Sequence, residues 1–338
     1  KVGEVRVWDG RTGAPVTPPM VIQNIVQAAA FSPDGRRVVT VAGTKGGTRQ
    51  QYSGEARVWD AQTGRPLTPS MKLGGPLDEA RFTPDGRRVV TTSFDWRTRR
   101  IEVRAWDART GRPLGAPLLR FHQIGSVELS EDGSRVALAY SNWWKHTGEA
   151  EVLDPRTGAS LTPPIKLDAW VIRAAFSTDG RQLATATFRD NGEAQVWDTH
   201  TGRPLTPPME STQYVTSLVF SRDGSRLLTT GVENLAQVWN ARTGQRVATI
   251  EAGGRIERAV FSPDGTRVLT AGDDTTVQVW DARTGKPLPP PLEHGGPVGL
   301  IAFSPDGTQL LTASEDRTVR LWKLGAPRPL VLPASQGQ

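Results

Sequence analysis

The sequence predicts an all-β protein built from seven copies of one four-stranded antiparallel unit. Three observations lead there. An aspartate followed by glycine recurs at Asp34, Asp85, Asp132, Asp179, Asp223, Asp264 and Asp306, with neighbouring copies 41 to 51 residues apart. A period of this size marks a repeat architecture. A tryptophan-acid dipeptide or a close relative recurs in register with it, at Trp8-Asp9, Trp59-Asp60, Trp106-Asp107, Leu153-Asp154, Trp197-Asp198, Trp239-Asn240, Trp280-Asp281 and Trp322-Lys323. Between these marks lie short alternating apolar runs of strand length, not helical periodicity.

The copy from Glu293 to Trp322 shows why each element forms. Val298, Leu300 and Ala302 alternate with Gly299, Ile301 and Phe303 in a first strand. Pro305-Asp306-Gly307 then makes a tight hairpin, because proline presets φ and glycine tolerates φ > 0. Gln309 to Ala313 forms the second strand, Glu315-Asp316-Arg317 a turn, and Thr318 to Trp322 the third strand. In earlier copies the chain continues through an Asp-Ala-Arg-Thr-Gly-like turn into a fourth strand marked by Pro66, Pro113, Pro204 or Pro287. Proline belongs at a sheet edge, where no ladder donor is needed. The third copy departs furthest, with Glu131-Asp132-Gly133 for the turn and Leu153 in place of tryptophan.

This order of Phe-Ser-Pro-Asp-Gly, Leu-Thr-Ala-Ser-x-Asp and Val-x-Val-Trp-Asp resembles the WD40 repeat, over nearly the whole chain. The resemblance implies a seven-bladed β-propeller of four-stranded antiparallel blades. It also implies a hydrogen-bonded structural tetrad, which maps in full onto one copy: His294, Thr312, Asp316 and Trp322. The sixth copy has Ala252 where the histidine belongs, and the fifth has Glu233 for the aspartate. Copies one to four lose the short turn, so the fold is expected to rest on packing more than on that network. On this reading His294 braces a blade and is not catalytic.

In chain order, residues 1–23 hold a third-strand and a fourth-strand segment with no first or second strand before them, 26–323 hold the seven repeats, and 324–338 form a tail. The whole is read as a single propeller domain. A closed ring removes sheet edges, and the expected closure places residues 15–22 as the fourth strand of the last blade. Pro329 to Leu332 is the rival for that place. The surplus strands suggest a piece of a longer repeat-bearing protein.

Composition narrows the function. The absence of cysteine excludes disulfides, a thiol nucleophile and cysteine metal sites. The chain has no apolar run of about 18 residues, the length a membrane-spanning helix needs. Net charge is +6, with basic residues spread over strands and turns, so a partner of nucleic acid is not indicated. His122, His146, His200 and His294 fall in separate repeats without metal-ligand spacing. Gly43 to Gly47 lacks the Gly-Lys-Ser/Thr of a phosphate loop. No catalytic residue, metal ligand or cofactor is expected.

Removing the repeat leaves the connections between second and third strands, which are long only in copies one to four. They carry Tyr52, Trp96, Arg97, Arg99, Trp143, Trp144, Lys145, His146 and Arg189. Links from a fourth strand to the next first strand emerge on the same face and add His122, Gln123 and Trp170. Exposed Trp, Tyr and Arg supply binding hot spots, and loops on a rigid scaffold carry recognition. The plainer alternative is that a loop tryptophan seals the neighbouring blade.

The expected function is a non-catalytic platform for a protein or peptide partner. The regular Asp-Ala-Arg-Thr-Gly-Arg-Pro phrasing resembles that of bacterial WD40 proteins, where propellers accompany signalling modules. Two other classes stay open: a small-ligand or enzymatic site over the central channel, and nucleic-acid binding through the same Trp/Arg loops. Steep weakening with salt would mark the second.

Overall fold

The computed structural model describes residues 3–9, 14–43, 54–73, 77–83, 85–95, 100–121, 123–142, 144–188, 192–211, 214–324 and 330–333. They form seven four-stranded antiparallel sheets and one two-stranded sheet, with no helix among the described residues. The chain divides into two compact units. One comprises Lys1–Trp144 and Glu151–Pro163, and the other Lys145–Ala150 and Pro164–Gln338.

The sheets follow the predicted meander. The first runs through Ile25–Phe31, Arg37–Gly43, Gly54–Asp60 and Met71–Leu73, and the second through Leu77–Phe82, Arg88–Asp95, Arg100–Asp107 and Leu118–Phe121. The third takes Gln123–Leu129, Val136–Asn142, Thr147–Leu153 and Ile165–Leu167. The fourth takes Trp170–Phe176, Gln182–Phe188, Glu193–Asp198 and Met209–Glu210. The fifth begins at Val215–Phe220 and Arg226–Gly231, then Leu235–Asn240 and Arg246–Glu251. Ile256–Phe261, Arg267–Gly272, Thr276–Asp281 and Pro287–Glu293 make the sixth.

Each hairpin turn closes by the same chemistry. Ser32 donates its hydroxyl to Asp34 at 2.5 Å, the Arg36 and Arg37 amides donate to Asp34 and Ser32, and Gly35 takes φ +67°. Ser or Thr makes the same bond to the turn aspartate at Asp85, Asp132, Asp179, Asp223, Asp264 and Asp306. These bonds stabilise the ionised form, and all seven carboxyls lie below their ordinary range. Asp306 falls to about 2, with the Ser304 hydroxyl as the largest cause.

Two features were not legible as simple alternation. Every first strand of the seven sheets carries a bulge near its start, as between Val26 and Ala28 or Val298 and Leu300. The extra residue flips the side-chain order, so Ile301 is buried while Leu300 faces outward, against the strict alternation the sequence suggested. The fourth strands of sheets one, two and four also open with a single bridge at the edge proline, Trp59 to Pro66, Trp106 to Pro113 and Trp197 to Pro204.

The core is built from the faces of successive sheets. Val39, Val41 and Val58 of the first sheet pack with Phe82, Val89 and Trp106 of the second. Val238 and Ile250 of the fifth pack with Phe261, Val268 and Trp280 of the sixth. Side chains also tie neighbours together: Arg37 donates to the Gly86 carbonyl at 2.7 Å, and Arg226 to that of Gly265 at 3.1 Å.

The ends differ from expectation. The last sheet, Val298–Phe303, Gln309–Ser314 and Thr318–Lys323, takes Leu330–Pro333 as its fourth strand. The rival segment therefore holds the place expected for 15–22. Its attachment is local, a few residues after the third strand, so it closes a short loop at small entropic cost. Met20–Ile22 pairs instead with Gly3–Val5 in the two-stranded sheet. Met20 and Ile22 bury against Ala42 and Trp59 of the first sheet.

Candidate functional site

The structure splits the predicted tetrad into a common part and a local part. The common part is a hydrogen bond from the indole Nε1–H of the third-strand tryptophan to a threonine hydroxyl on the second strand. It joins Trp59 to Thr40, Trp106 to Thr91, Trp197 to Thr185, Trp239 to Thr229, Trp280 to Thr270 and Trp322 to Thr312, at 2.8 to 3.0 Å. Sequence reasoning tied the network to the short turn and so missed it in sheets one, two and four. In the third sheet both partners change together. Leu138 stands at the threonine position and Leu153 at the tryptophan position, and both are fully buried in one apolar cluster.

Among the described residues the local part is found in the last sheet. His294 Nε2 lies 2.7 Å from Thr312 Oγ1, and His294 Nδ1 lies 3.4 Å from Asp316 Oδ2. Thr312 already accepts from Trp322, so its own proton is best directed to Nε2. That assigns the Nδ1–H tautomer, which donates to Asp316. Burial pushes the imidazole below its ordinary value and Arg320 pushes the same way, against Asp316. Asp316 stays well below the carboxylate range: burial opposes ionisation, but donation from Thr318 and Gly295 and the nearby Arg320 outweigh it. Arg320 pairs with Asp316 at 2.9 Å. The contact of His294 with Asp316 is therefore a hydrogen bond of a neutral ring, not an ion pair. In the sixth sheet Ala252 occupies the histidine position beside a cavity of about 370 Å³ lined in part by Gly254, Thr270, Asp274 and Trp280.

Of the predicted recognition residues, Tyr52, Trp96, Arg97, Arg99, Trp143 and Arg189 lie outside the described residues, as does His122. Trp144, Lys145, His146 and Trp170 are described. Trp144 sits in the turn between second and third strands of the third sheet, its amide bonded to the Asn142 side chain at 3.1 Å. Its side chain is 96% exposed. His146 in the same turn adopts a left-handed φ of +53° and is exposed.

His146 begins a run of four stacked rings. It lies 5.3 Å from Trp170, which lies 5.9 Å from Phe188, which lies 4.5 Å from Tyr214. The planes differ by 21°, 22° and 10°. Backbone register sets the middle pair, because Trp170 and Phe188 are direct partners across the fourth sheet. Tyr214 directly precedes the first strand of the fifth sheet, as Trp170 opens that of the fourth. Phe188 and Tyr214 remain exposed. Stacked pairs of this geometry contribute about 0.5–1.5 kcal/mol each. The stack thus joins two predicted residues with two that sequence reasoning passed over. The missed signal was positional: Trp170-Val171 and Tyr214-Val215 fall at one repeat position.

Among the described residues no group of three or more His, Cys, Asp or Glu could hold a metal ion. No described helix is long and apolar enough to cross a membrane.

Comparison with known proteins finds a known repeat in part of the chain and a known fold. The profile described as WD domain, G-beta repeat matches residues 205–240, 244–281 and 288–323. Among solved structures, the crystal structure of the computationally designed Ika8 protein is similar at 23% identity and a TM-score of 0.70. That match covers 95% of this chain and 90% of the other. At such identity the likeness shows the fold alone. No curated protein matches the chain. The chain carries WD40 repeats over 205–323, and its seven antiparallel sheets are the blades of a β-propeller fold.

Proposed function

We propose that this WD40-repeat β-propeller works by binding, without catalysis, and that it holds a protein or peptide partner on the loop edge carrying the aromatic stack. The family's common role as a protein-interaction scaffold supports the class of function. One observation supports the face: the stacked rings of His146, Trp170, Phe188 and Tyr214, two of them large exposed aromatics. A stack holds its members in fixed rotamers, so little side-chain entropy is lost when a partner covers them. Trp144 in the same connection adds a free indole suited to an apolar pocket on a partner. The Trp, Arg and Tyr of the other long connections extend this reading to Tyr52, Trp96, Arg97, Arg99, Trp143 and Arg189.

The test is selection of displayed peptides against the full chain, followed by affinity measurement on the Trp144→Ala/His146→Ala/Tyr214→Ala variant. The expected result is enriched peptides whose affinity drops at least tenfold in the folded variant. Equal affinity for both proteins would remove this face from consideration. Binding that collapses with salt and is competed by single-stranded nucleic acid would favour the nucleic-acid alternative.

A further inference from the structure

The sixth and last sheets share one backbone frame around the position that His294 fills. Ala252 and His294 each follow directly on the fourth strand of the sheet before. Their amides donate into the turn between that sheet's second and third strands, to the Asn234 and Thr275 carbonyls at 2.9 and 3.0 Å. Two glycines follow each of them, Gly253-Gly254 and Gly295-Gly296. Thr270 and Thr312 accept from Trp280 and Trp322, both at 2.8 Å. In the sixth sheet this frame surrounds a methyl group instead of an imidazole.

The polar groups around that methyl group have capacity to spare. The Thr270 hydroxyl is buried, and its own proton finds no acceptor among the described residues. Asp274 accepts from the Thr276 amide alone among the described residues, at 3.2 Å. Its counterpart Asp316 takes donors from Gly295, Thr318, Arg320 and His294. Gln278 stands across the ladder from Thr270 as Arg320 does from Thr312. Its amide is turned to the Val279 and Leu288 carbonyls, at 2.7 and 2.8 Å. Among the described residues Asp274 therefore lines the cavity without the paired cation that Asp316 has. The cavity of about 370 Å³ falls in the range of about 300–1,000 Å³ for small-ligand sites. Exposed Gly253 and Arg255 are among its lining, so it opens to solvent.

We infer that this cavity is a binding site for an imidazole ring, carried by a small molecule or by a histidine side chain. The ring takes the place that the His294 imidazole has in the last sheet. One ring N–H donates to Asp274, and the other nitrogen accepts the Thr270 proton. The ring meets the Trp280 indole edge-on, as His294 meets Trp322 with centroids 5.8 Å apart. This site shares no residue with the aromatic stack.

The probes are imidazole and N-acetylhistidine methylamide, titrated against the untagged full chain while the Trp280 indole signal is followed by nitrogen-15 NMR. Saturable binding is expected, and the Trp280 signal shifts because its acceptor Thr270 gains a partner. Thiazole keeps the ring size and an acceptor nitrogen but lacks the N–H, so it binds about tenfold more weakly or worse, as for a lost hydrogen bond to a charged group. Asp274→Asn keeps an acceptor without the charge and weakens imidazole several-fold. Ala252→His brings the ring in covalently and abolishes binding of both probes. Thr270→Val, nearly isosteric, weakens imidazole by about two- to tenfold and serves if Ala252→His does not fold. Binding of the histidine derivative at least as tight as that of imidazole assigns a histidine side chain, and tighter binding of imidazole assigns a small ligand. The proposal is overturned if neither probe saturates or if thiazole binds as tightly as imidazole. It is also overturned if folded Ala252→His, or Thr270→Val in its stead, binds both probes like the parent chain.

Discussion

The threonine hydroxyl facing each blade tryptophan is a small group with a large lever. Its removal leaves a buried indole N–H unsatisfied, which costs about 1–3 kcal/mol. Thr229→Val is nearly isosteric, so its loss in urea unfolding should fall in that range. The third sheet shows the other stable solution, Leu138 against Leu153, with neither polar group present. Leu138→Thr alone should therefore destabilise, because it buries a hydroxyl without its indole. At His294 the sign with pH is fixed by direction. Its folded value is depressed below the ordinary 6.5, so its contribution is full above that value and fades as pH falls through the lower folded value. Melting temperature should drop between pH 7 and pH 5, and the drop should shrink in His294→Gln.

At the scale of the blade, the sixth sheet offers a direct test of what the histidine contributes. Ala252 stands where His294 stands in the last sheet, with Thr270, Asp274 and Trp280 already placed. Ala252→His is expected to add roughly 1 kcal/mol and to raise the melting temperature by about 1–2 °C. The blade was also the scale at which sequence was most informative. Pro-Asp-Gly and Trp-Asp fix turns by local chemistry, so their positions translate directly into strands. The bulge near the start of each first strand left no such mark, because no single residue type demands it: Gln27, Asp78, Gly125, Ile172, Thr216, Glu257 and Gly299 all occupy it. Half of the aromatic stack escaped notice for a related reason. Phe188 reads as the start of a long connection and Tyr214 as an ordinary residue before a strand, until register sets Phe188 beside Trp170.

Across the whole chain, repetition turns a minor local effect into a collective one. Seven turn aspartates are held ionised by the same hydroxyl and amide donors. Their folded values are depressed, so the stability they add is present above pH 4 and lost as pH falls toward them, with Asp306 reaching about 2. Acid titration between pH 4 and pH 2 should unfold the chain steeply, followed by circular dichroism. Asp306→Asn alone should soften that transition only slightly, because six copies of the turn remain. Sequence foresaw this repetition well, but it misjudged the fourth strand of the last sheet, where two segments matched the pattern equally and only chain connectivity separates them.

The indole-to-threonine bonds also make the molecule its own reporter. Six tryptophans, one in each of six blades, hold their N–H protons against a hydroxyl in buried surroundings, or half-buried ones at Trp322, while Trp8 and Trp144 face solvent. In a nitrogen-15 correlation spectrum these six indole signals should separate from the exposed ones and exchange slowly with deuterium. Each would then time the opening of a single blade.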